Sequence, residues 1–166
     1  MKTTSHGILI LNTAGELLLC HATGSRYWDI PKGGSAEGES GPQTAVRETL
    51  EECGLQLNPG DLRELGRFAY RPDKALLLYA VLLERLDTRL LSCSSQYQDQ
   101  RGQMRPEMDA FRWTPFSEVP KRCAKSLSTV LTQSVSLPNL LKQLEAAGPA
   151  VKPAVADAPG PRQEPS

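Results

Sequence analysis

A mixed α/β fold, a central sheet with helices packed on its faces, is what this 166-residue sequence predicts. Three observations lead there. Short β-forming runs come in pairs joined by turn residues, an amphipathic helical stretch lies between two such pairs, and a second helical region closes the pattern. A chain of this length folds as one domain and buries a sizeable core without staples.

The runs "GILILN" and "LLLCHA" flank "TAGE", which reads as a first hairpin. From Ser40 the period changes: Ala45, Val46, Thr49, Leu50 and Cys53 recur at helical spacing, Pro42 suits a first turn and Gly54 suits the position past the end. That predicts a helix of about three turns. "LGRFAYR" and "ALLLYAVLLE", separated by "PDK", form a second hairpin. The polar stretch 92–108 reads as a connection into the strand "DAFRWTPF". Apolar residues at helical spacing over 119–144, interrupted by Pro138, predict two helices or one broken helix. The domain is therefore expected over residues 1–145. Residues 146–166, "AAGPAVKPAVADAPGPRQEPS", offer too little apolar surface to offset their ordering entropy and are expected to be a disordered Pro/Ala-rich tail.

Lysine plus arginine and aspartate plus glutamate balance at 19 each, so no whole-molecule field points to a membrane or an extended nucleic-acid surface. Any charge-based function is local. Cys20, Cys53, Cys93 and Cys123 include no C-x-x-C pair, which suggests neither a zinc cage nor a redox motif but free thiols in a reducing cytoplasm. The N-terminus lacks a basic region ahead of a long apolar run, and no segment approaches the roughly 20 apolar residues that cross a bilayer. His6 and His21 have no partner pattern and are not expected to be catalytic.

The informative feature is a charge cluster. On the expected helix, Glu48, Glu51 and Glu52 share an arc of about 100° opposite the apolar face. Like charges at (i, i+4) cost a few tenths of a kcal/mol, and Arg47 with Glu39 leaves the cluster acidic. A hard divalent cation is the natural counter-charge, because Mg²⁺ is commonly held by one or two carboxylates plus substrate phosphates. Before the helix stands "PKGG", whose glycines allow close approach of backbone to a ligand.

The full spacing is Gly33, five residues, Glu39, seven residues, then Arg47-Glu48-Thr49-Leu50-Glu51-Glu52-Cys53-Gly54-Leu55. This resembles the Nudix box, G-x5-E-x7-R-E-U-x-E-E-x-G-U with U aliphatic, and departs from it only at Thr49. The resemblance implies an α/β/α sandwich with a central mixed sheet, and hydrolysis of a nucleoside diphosphate linked to another group under Mg²⁺ or Mn²⁺. It further implies that Glu48 and Glu52 ligate metal, that Glu51 ligates it or holds water, and that the Gly33 carbonyl completes the shell. Arg47 and Glu39 would be supports, with Gly54 ending the helix. The general base would be Glu48 or Glu107, the latter lying just before the last expected strand.

Lys32, Arg26 and Arg71 are candidate phosphate contacts, together with the less specific Arg67 and Lys74. "PKGG" and Tyr70, sixteen residues beyond Gly54, resemble dinucleoside polyphosphate hydrolases; Pro72 resembles ADP-ribose hydrolases. A dinucleoside polyphosphate is the expected small-molecule substrate. The alternatives are ADP-ribose, an oxidised nucleoside triphosphate, or a nucleotide-binding module without turnover. Trp28, on an expected strand, reads as core rather than as a stacking platform for a base.

Overall fold

The computed structural model describes residues 2–156. In chain order its strands and helices are β1 (Thr3–Asn12), β2 (Glu16–Ala22), β3 (Trp28–Asp29), β4 (Lys32–Gly33), α1 (Gly41–Cys53), β5 (Arg63–Arg71), β6 (Lys74–Leu82), β7 (Gln96–Gln98), β8 (Met104–Pro106), β9 (Met108–Pro115), α2 (Val119–Arg122), α3 (Lys125–Thr129) and α4 (Leu137–Ala147).

The main sheet runs β3-β2-β1-β6-β5, with β4 also on β1 and β9 also on β2. Only β1 and β6 are parallel, from Thr3 opposite Lys74 to Leu11 opposite Leu82; the other pairings are antiparallel, so the sheet is mixed. Because side chains alternate across a strand, Leu9 and Leu11 enter one core with Leu17, Leu76 and Leu78. Ile8 and Ile10 enter the other with Leu18, Cys20 and Val81. Val119, Leu127, Leu131, Leu140 and Leu144 of the C-terminal helical region cover the first face, and Ala45 and Cys53 of α1 cover the second. Covering on both sides explains why "GILIL" is an unbroken apolar run rather than an alternating one. Trp28 packs against the first core, as its strand position suggested.

The first hairpin is real but brief. Asn12 Oδ1 accepts from the Ala14 and Glu16 amides at 2.9 and 3.3 Å, fixing the turn, and β1 and β2 then pair only at Leu11–Leu17 and Asn12–Glu16. Beyond that they separate. The segment from β3 to β4 bridges the split, pairing first with β2 through Trp28 and Asp29 and then with β1 through Lys32 and Gly33. The turn that carries "PKGG" is thereby pinned to the middle of the sheet.

Two expectations need correction and one is resolved. Within the polar stretch 92–108, β7 and β8 form a two-stranded hairpin of their own, invisible to periodicity because each strand is only three residues long. Of the two readings offered for 119–144, separate helices hold: Pro138 lies in the first turn of α4, capped by Ser136, while the preceding helical turn ends at Ser134. Disorder does not begin at Ala146. α4 continues to Ala147, and the chain beyond it is bonded through its backbone: Val151 N to Leu82 O, Glu84 N to Val151 O, Gln56 N to Ala154 O and Ala156 N to Gly54 O, each at 2.8 Å. Backbone pairing of this kind leaves no mark in composition. The remainder of the expected tail, 157–166, lies outside the described residues.

Truncation after Glu145 removes these four bonds. At about 1 kcal/mol net per bond and a few degrees per kcal/mol for a domain of this size, the melting temperature should fall by on the order of 10 °C, measured by thermal unfolding of full-length and truncated protein.

Candidate functional site

α1 is built by its own ends. Ser40 and Gln43 form a reciprocal capping box, Pro42 occupies the first turn, and Gly54 closes the helix at φ 75° with its amide on Leu50 O at 2.9 Å. Thr49 is fully buried, and its hydroxyl donates to Ala45 O at 2.8 Å, so a polar side chain sits where an aliphatic one was expected without leaving a group unpaired. With that face fixed inward, the glutamates differ in exposure. The Glu51 side chain is 39% accessible and that of Glu48 14%, while residue Glu52 is buried at 5%.

Arg47 joins the helix to the preceding turn. It holds Glu39 through both oxygens, Nε at 2.7 Å and Nη2 at 3.0 Å, and Nη2 also donates to Gly34 O at 3.0 Å. Its Nη1 reaches Glu48 at 3.1 Å and Glu51 at 3.2 Å. Glu39 in turn accepts from the Ala36 amide and the Thr44 hydroxyl. The Arg47 bonds, followed by that from Ala36, bring the Glu39 carboxyl down to about 2, and Glu39 pushes the Arg47 guanidinium further up. Gly33 leaves room for Glu48: a Cβ there would collide with the Glu48 carboxylate and displace it.

Glu52 lies beneath this layer. Its Oε1 accepts the Lys32 amide at 3.2 Å, and burial pushes its carboxyl up to about 8 despite the Lys32 charge. Burial also raises Glu48, with Glu51 and Glu107 adding repulsion against the pull of Arg47. Burial works against the Lys32 ammonium, yet its pKa is raised, chiefly by Asp29, whose Oδ2 lies 2.6 Å from Nζ. Asp29 is the participant that sequence reasoning missed. Its place three residues before Lys32 was the available signal, weak because any lysine has an acid within a few residues.

The NUDIX domain family model matches residues 1–133. The chain belongs to the Nudix family. A protein of Enterobacteria phage T4, described as an uncharacterized 17.7 kDa protein in the e-segB intergenic region, is 39% identical over 126 residues, 69% of this chain and 83% of its own. The RNA pyrophosphohydrolase of Yersinia enterocolitica is 30% identical over 161 residues, 89% of this chain and 90% of that protein. Among solved structures, a C. elegans Ap4A hydrolase binary complex shares the fold with a TM-score of 0.55 at 22% identity, over 86% of this chain and 96% of that one. As a Nudix hydrolase the protein acts on phosphoanhydride bonds.

Within the Nudix site the expected residues separate into two groups. Gly33, Glu39, Arg47, Glu48, Glu51, Glu52 and Gly54 come together as described. Glu107 joins them: exposed, it lies close enough to Glu48 to raise that carboxyl, and its backbone is tied to Ser95 O and the Thr23 amide. Tyr70 is buried close to Lys32. Arg71 stacks on the Tyr70 ring at 5.0 Å and Arg26 on Tyr27 at 5.0 Å, and no contact links Arg26 to the glutamates among the described residues. Lys32, expected as a phosphate contact, is paired with Asp29.

Among the described residues no three acidic, His or Cys side chains converge as a closed metal cage. Arg47 spans Glu48 and Glu51 instead. The donor set still fits a hard cation, because such an ion keeps water and phosphate ligands and needs only one or two carboxylates from protein.

Two outcomes are expected. Replacing Gly33 by alanine displaces the Glu48 carboxylate, so turnover should fall about a hundredfold, the order that misplacing a reacting group by an ångström costs, while circular dichroism shows a retained fold. The Glu52 carboxyl, raised in the fold to about 8, favours the native state most below its unfolded value near 4.5 and loses that contribution as pH rises to about 8. The metal-free melting temperature should therefore carry a decline from pH 5 to 8 that Glu52→Gln removes.

Proposed function

We propose that this Nudix hydrolase uses Mg²⁺ or Mn²⁺ to cleave the pyrophosphate linkage of a nucleoside polyphosphate, a dinucleoside polyphosphate being the first choice. One observation carries the reading: Glu48 and Glu52 are desolvated carboxylates beside Gly33, and the two cations near them are shared with other acids, one Arg47 guanidinium among Glu39, Glu48 and Glu51, and Lys32 with Asp29. The cluster is short of positive charge where the chemistry needs a cation.

Glu48 and Glu52, with the Gly33 carbonyl, would hold the ion, and Glu51 would complete its shell or orient water. When bound, the cation supplies charge that neutralises phosphate oxygens and acidifies water in its shell. The chain's own residues do the rest. Glu48 or Glu107 accepts the proton of the attacking water, a role that demands reach before pKa. Arg47 and Glu39 position the carboxylates on α1 against the turn. Lys32, kept charged by Asp29, offers its field to the phosphate chain, and Arg71, exposed above Tyr70, contacts it from the β5–β6 end. The free thiols suit a reducing compartment, the cytoplasm, and no helix is long and apolar enough to cross a membrane among the described residues.

The choice of substrate rests on "PKGG" and on Tyr70 beside Lys32. A second reading, the 5′-triphosphate end of RNA, is favoured by the relative from Yersinia enterocolitica. Both substrates present a polyphosphate that continues into more nucleotide. Pro72, in the β5–β6 turn, keeps ADP-ribose in the comparison, as an oxidised nucleoside triphosphate is kept by the breadth of the family pattern.

With Mg²⁺, the specificity constant for diadenosine tetraphosphate should exceed that for ADP-ribose; the reverse order would move the assignment to ADP-ribose. Glu52→Gln should lower turnover on the order of a hundredfold or more, about 1.4 kcal/mol per factor of ten. The parent should gain melting temperature with Mg²⁺ and the variant much less. Tight nucleotide binding with no turnover on any of these substrates would make the protein a binding module.

A further inference from the structure

Glu107 is the single residue between β8, which belongs to the small hairpin, and β9, which belongs to the main sheet. Its side chain is exposed. The ladder beside it is irregular: Ala22 pairs with Met108 but His21 pairs with Ala110, so Asp109 is an extra residue in β9. Such a bulge re-aims the side chains next to it. The Glu107 backbone is held by two bonds, from its amide to Ser95 O and from the Thr23 amide to its own carbonyl, both at 3.0 Å.

The Ser95 end of this hold reaches α1. The Ser95 amide donates to Glu51 O at 3.3 Å, beside the Ser94 amide at 2.8 Å and the Ser94 hydroxyl at 3.3 Å, and the Ser92 amide donates to Cys53 O at 3.0 Å. Gly54 admits this approach, since a Cβ there would lie 2.9 Å from Ser92 O. The end of a helix leaves carbonyls without partners, and residues 92–95 supply them from outside the helix. Ser95 therefore spans from the carbonyl of Glu51 to the amide of Glu107, and it sets the loop glutamate against those of α1.

Residues 91–95 carry no regular structure, so something else must fix that span. Cys93 does so. Its thiol donates to Ser95 O at 3.4 Å, the oxygen that also takes the Glu107 amide, while its sulfur accepts the Met108 amide at 3.4 Å and lies 3.4 Å from the Ser95 hydroxyl. The side chain packs, half-buried, against the same core that buries Met108. Sulfur is a weak donor and a weak acceptor, but here it touches the anchor of Glu107 on one side and the residue after Glu107 on the other. An exposed carboxylate on a one-residue junction has no packing of its own to aim it. Its reach is set by its backbone, and reach comes before pKa in a general base.

We infer that Cys93 is a positioning residue for the hydrolysis, bracing Ser95 and Met108 so that the Glu107 carboxylate stands at a fixed place opposite Glu48 and Glu51. The inference rests on the hydrolase reading above and, of the two candidate bases, gives the attacking water's proton to Glu107.

The test uses whichever of diadenosine tetraphosphate, ADP-ribose and 5′-triphosphorylated RNA the parent turns over best with Mg²⁺. It compares the parent with Cys93→Val, Cys93→Ala, Cys93→Ser, Glu107→Gln and the double variant Cys93→Val/Glu107→Gln, and follows exchange of the Glu107 amide by NMR in the metal-free proteins. Valine keeps bulk and removes both hydrogen-bonding functions, alanine removes them without adding bulk, and serine retains them. Cys93→Val and Cys93→Ala should lower kcat about tenfold, short of the roughly hundredfold that an ångström's displacement costs, with KM within about twofold. Both should speed Glu107 amide exchange by about tenfold, and Cys93→Ser should recover most of each loss. On the Glu107→Gln background valine should lower kcat no further, because no carboxylate is left to aim. An unchanged kcat in both Cys93→Val and Cys93→Ala, an equal loss on the two backgrounds, or a Glu107→Gln variant as active as the parent overturns the inference while the active parent leaves the hydrolase reading standing. If the parent turns over none of the substrates, the hydrolase reading fails on its own. Amide exchange then decides the brace: faster in valine and alanine and restored in serine supports it, and equal rates overturn it.

Discussion

The bidentate pair between Arg47 and Glu39 is the interaction on which the site's geometry depends. α1 is fixed by its apolar face and its caps, but residues 34–39 carry no regular structure of their own. One guanidinium gathers Gly34 O, Glu39, Glu48 and Glu51 into a single frame. With its carboxyl held near 2, Glu39 stays ionised throughout the neutral range, so the frame does not loosen as pH changes there. Loss of Arg47 leaves Glu39, Glu48 and Glu51 without their shared cation, the costlier way to disturb such a group, whereas loss of Glu39 leaves Arg47 held by Glu48 and Glu51 alone.

The same frame keeps the neighbouring carboxylates in an unfavourable environment. Glu52 is buried beneath Glu48 in a setting that resists its ionised form, and Glu48 is further burdened by Glu51 and Glu107. A fold selected for stability alone would place an amide or an aliphatic group at Glu52. Carboxylates concentrated and desolvated on one rigid turn make sense when a cation is their partner, and the instability they bring is a mark of function.

Much of this was legible in sequence, and the reasons are specific. α1 announced itself because period, cap and terminator agreed over Ser40–Gly54, and the β5–β6 hairpin because β-forming runs flanked a clear turn. The box residues were found because their spacing resembles the Nudix box. The parallel pairing of β1 with β6 was not, since partners remote in sequence leave no local signal. The β7–β8 hairpin stayed hidden because each of its strands is only three residues long, and the strap at 151–156 because its hold is made by backbone groups that every residue type possesses. The pairing of Lys32 with Asp29 was not foreseen, because an acid three residues away along the chain is too common to mark a partner.

The order of the strands governs when the site comes into being during synthesis. The glutamates and the glycine turn occupy residues 33–54, but the surfaces that hold them arrive later. β1 finds its parallel neighbour only once β6 has been made, and β2 gains β9 later still. Until then the split between β1 and β2 that seats "PKGG" has no rigid walls. Non-local pairings of this kind slow folding, because chain closure precedes the contacts that reward it. The nascent chain therefore carries an exposed acidic helix with no sheet behind it, and the full arrangement of carboxylates around the glycine turn appears only near the end of translation.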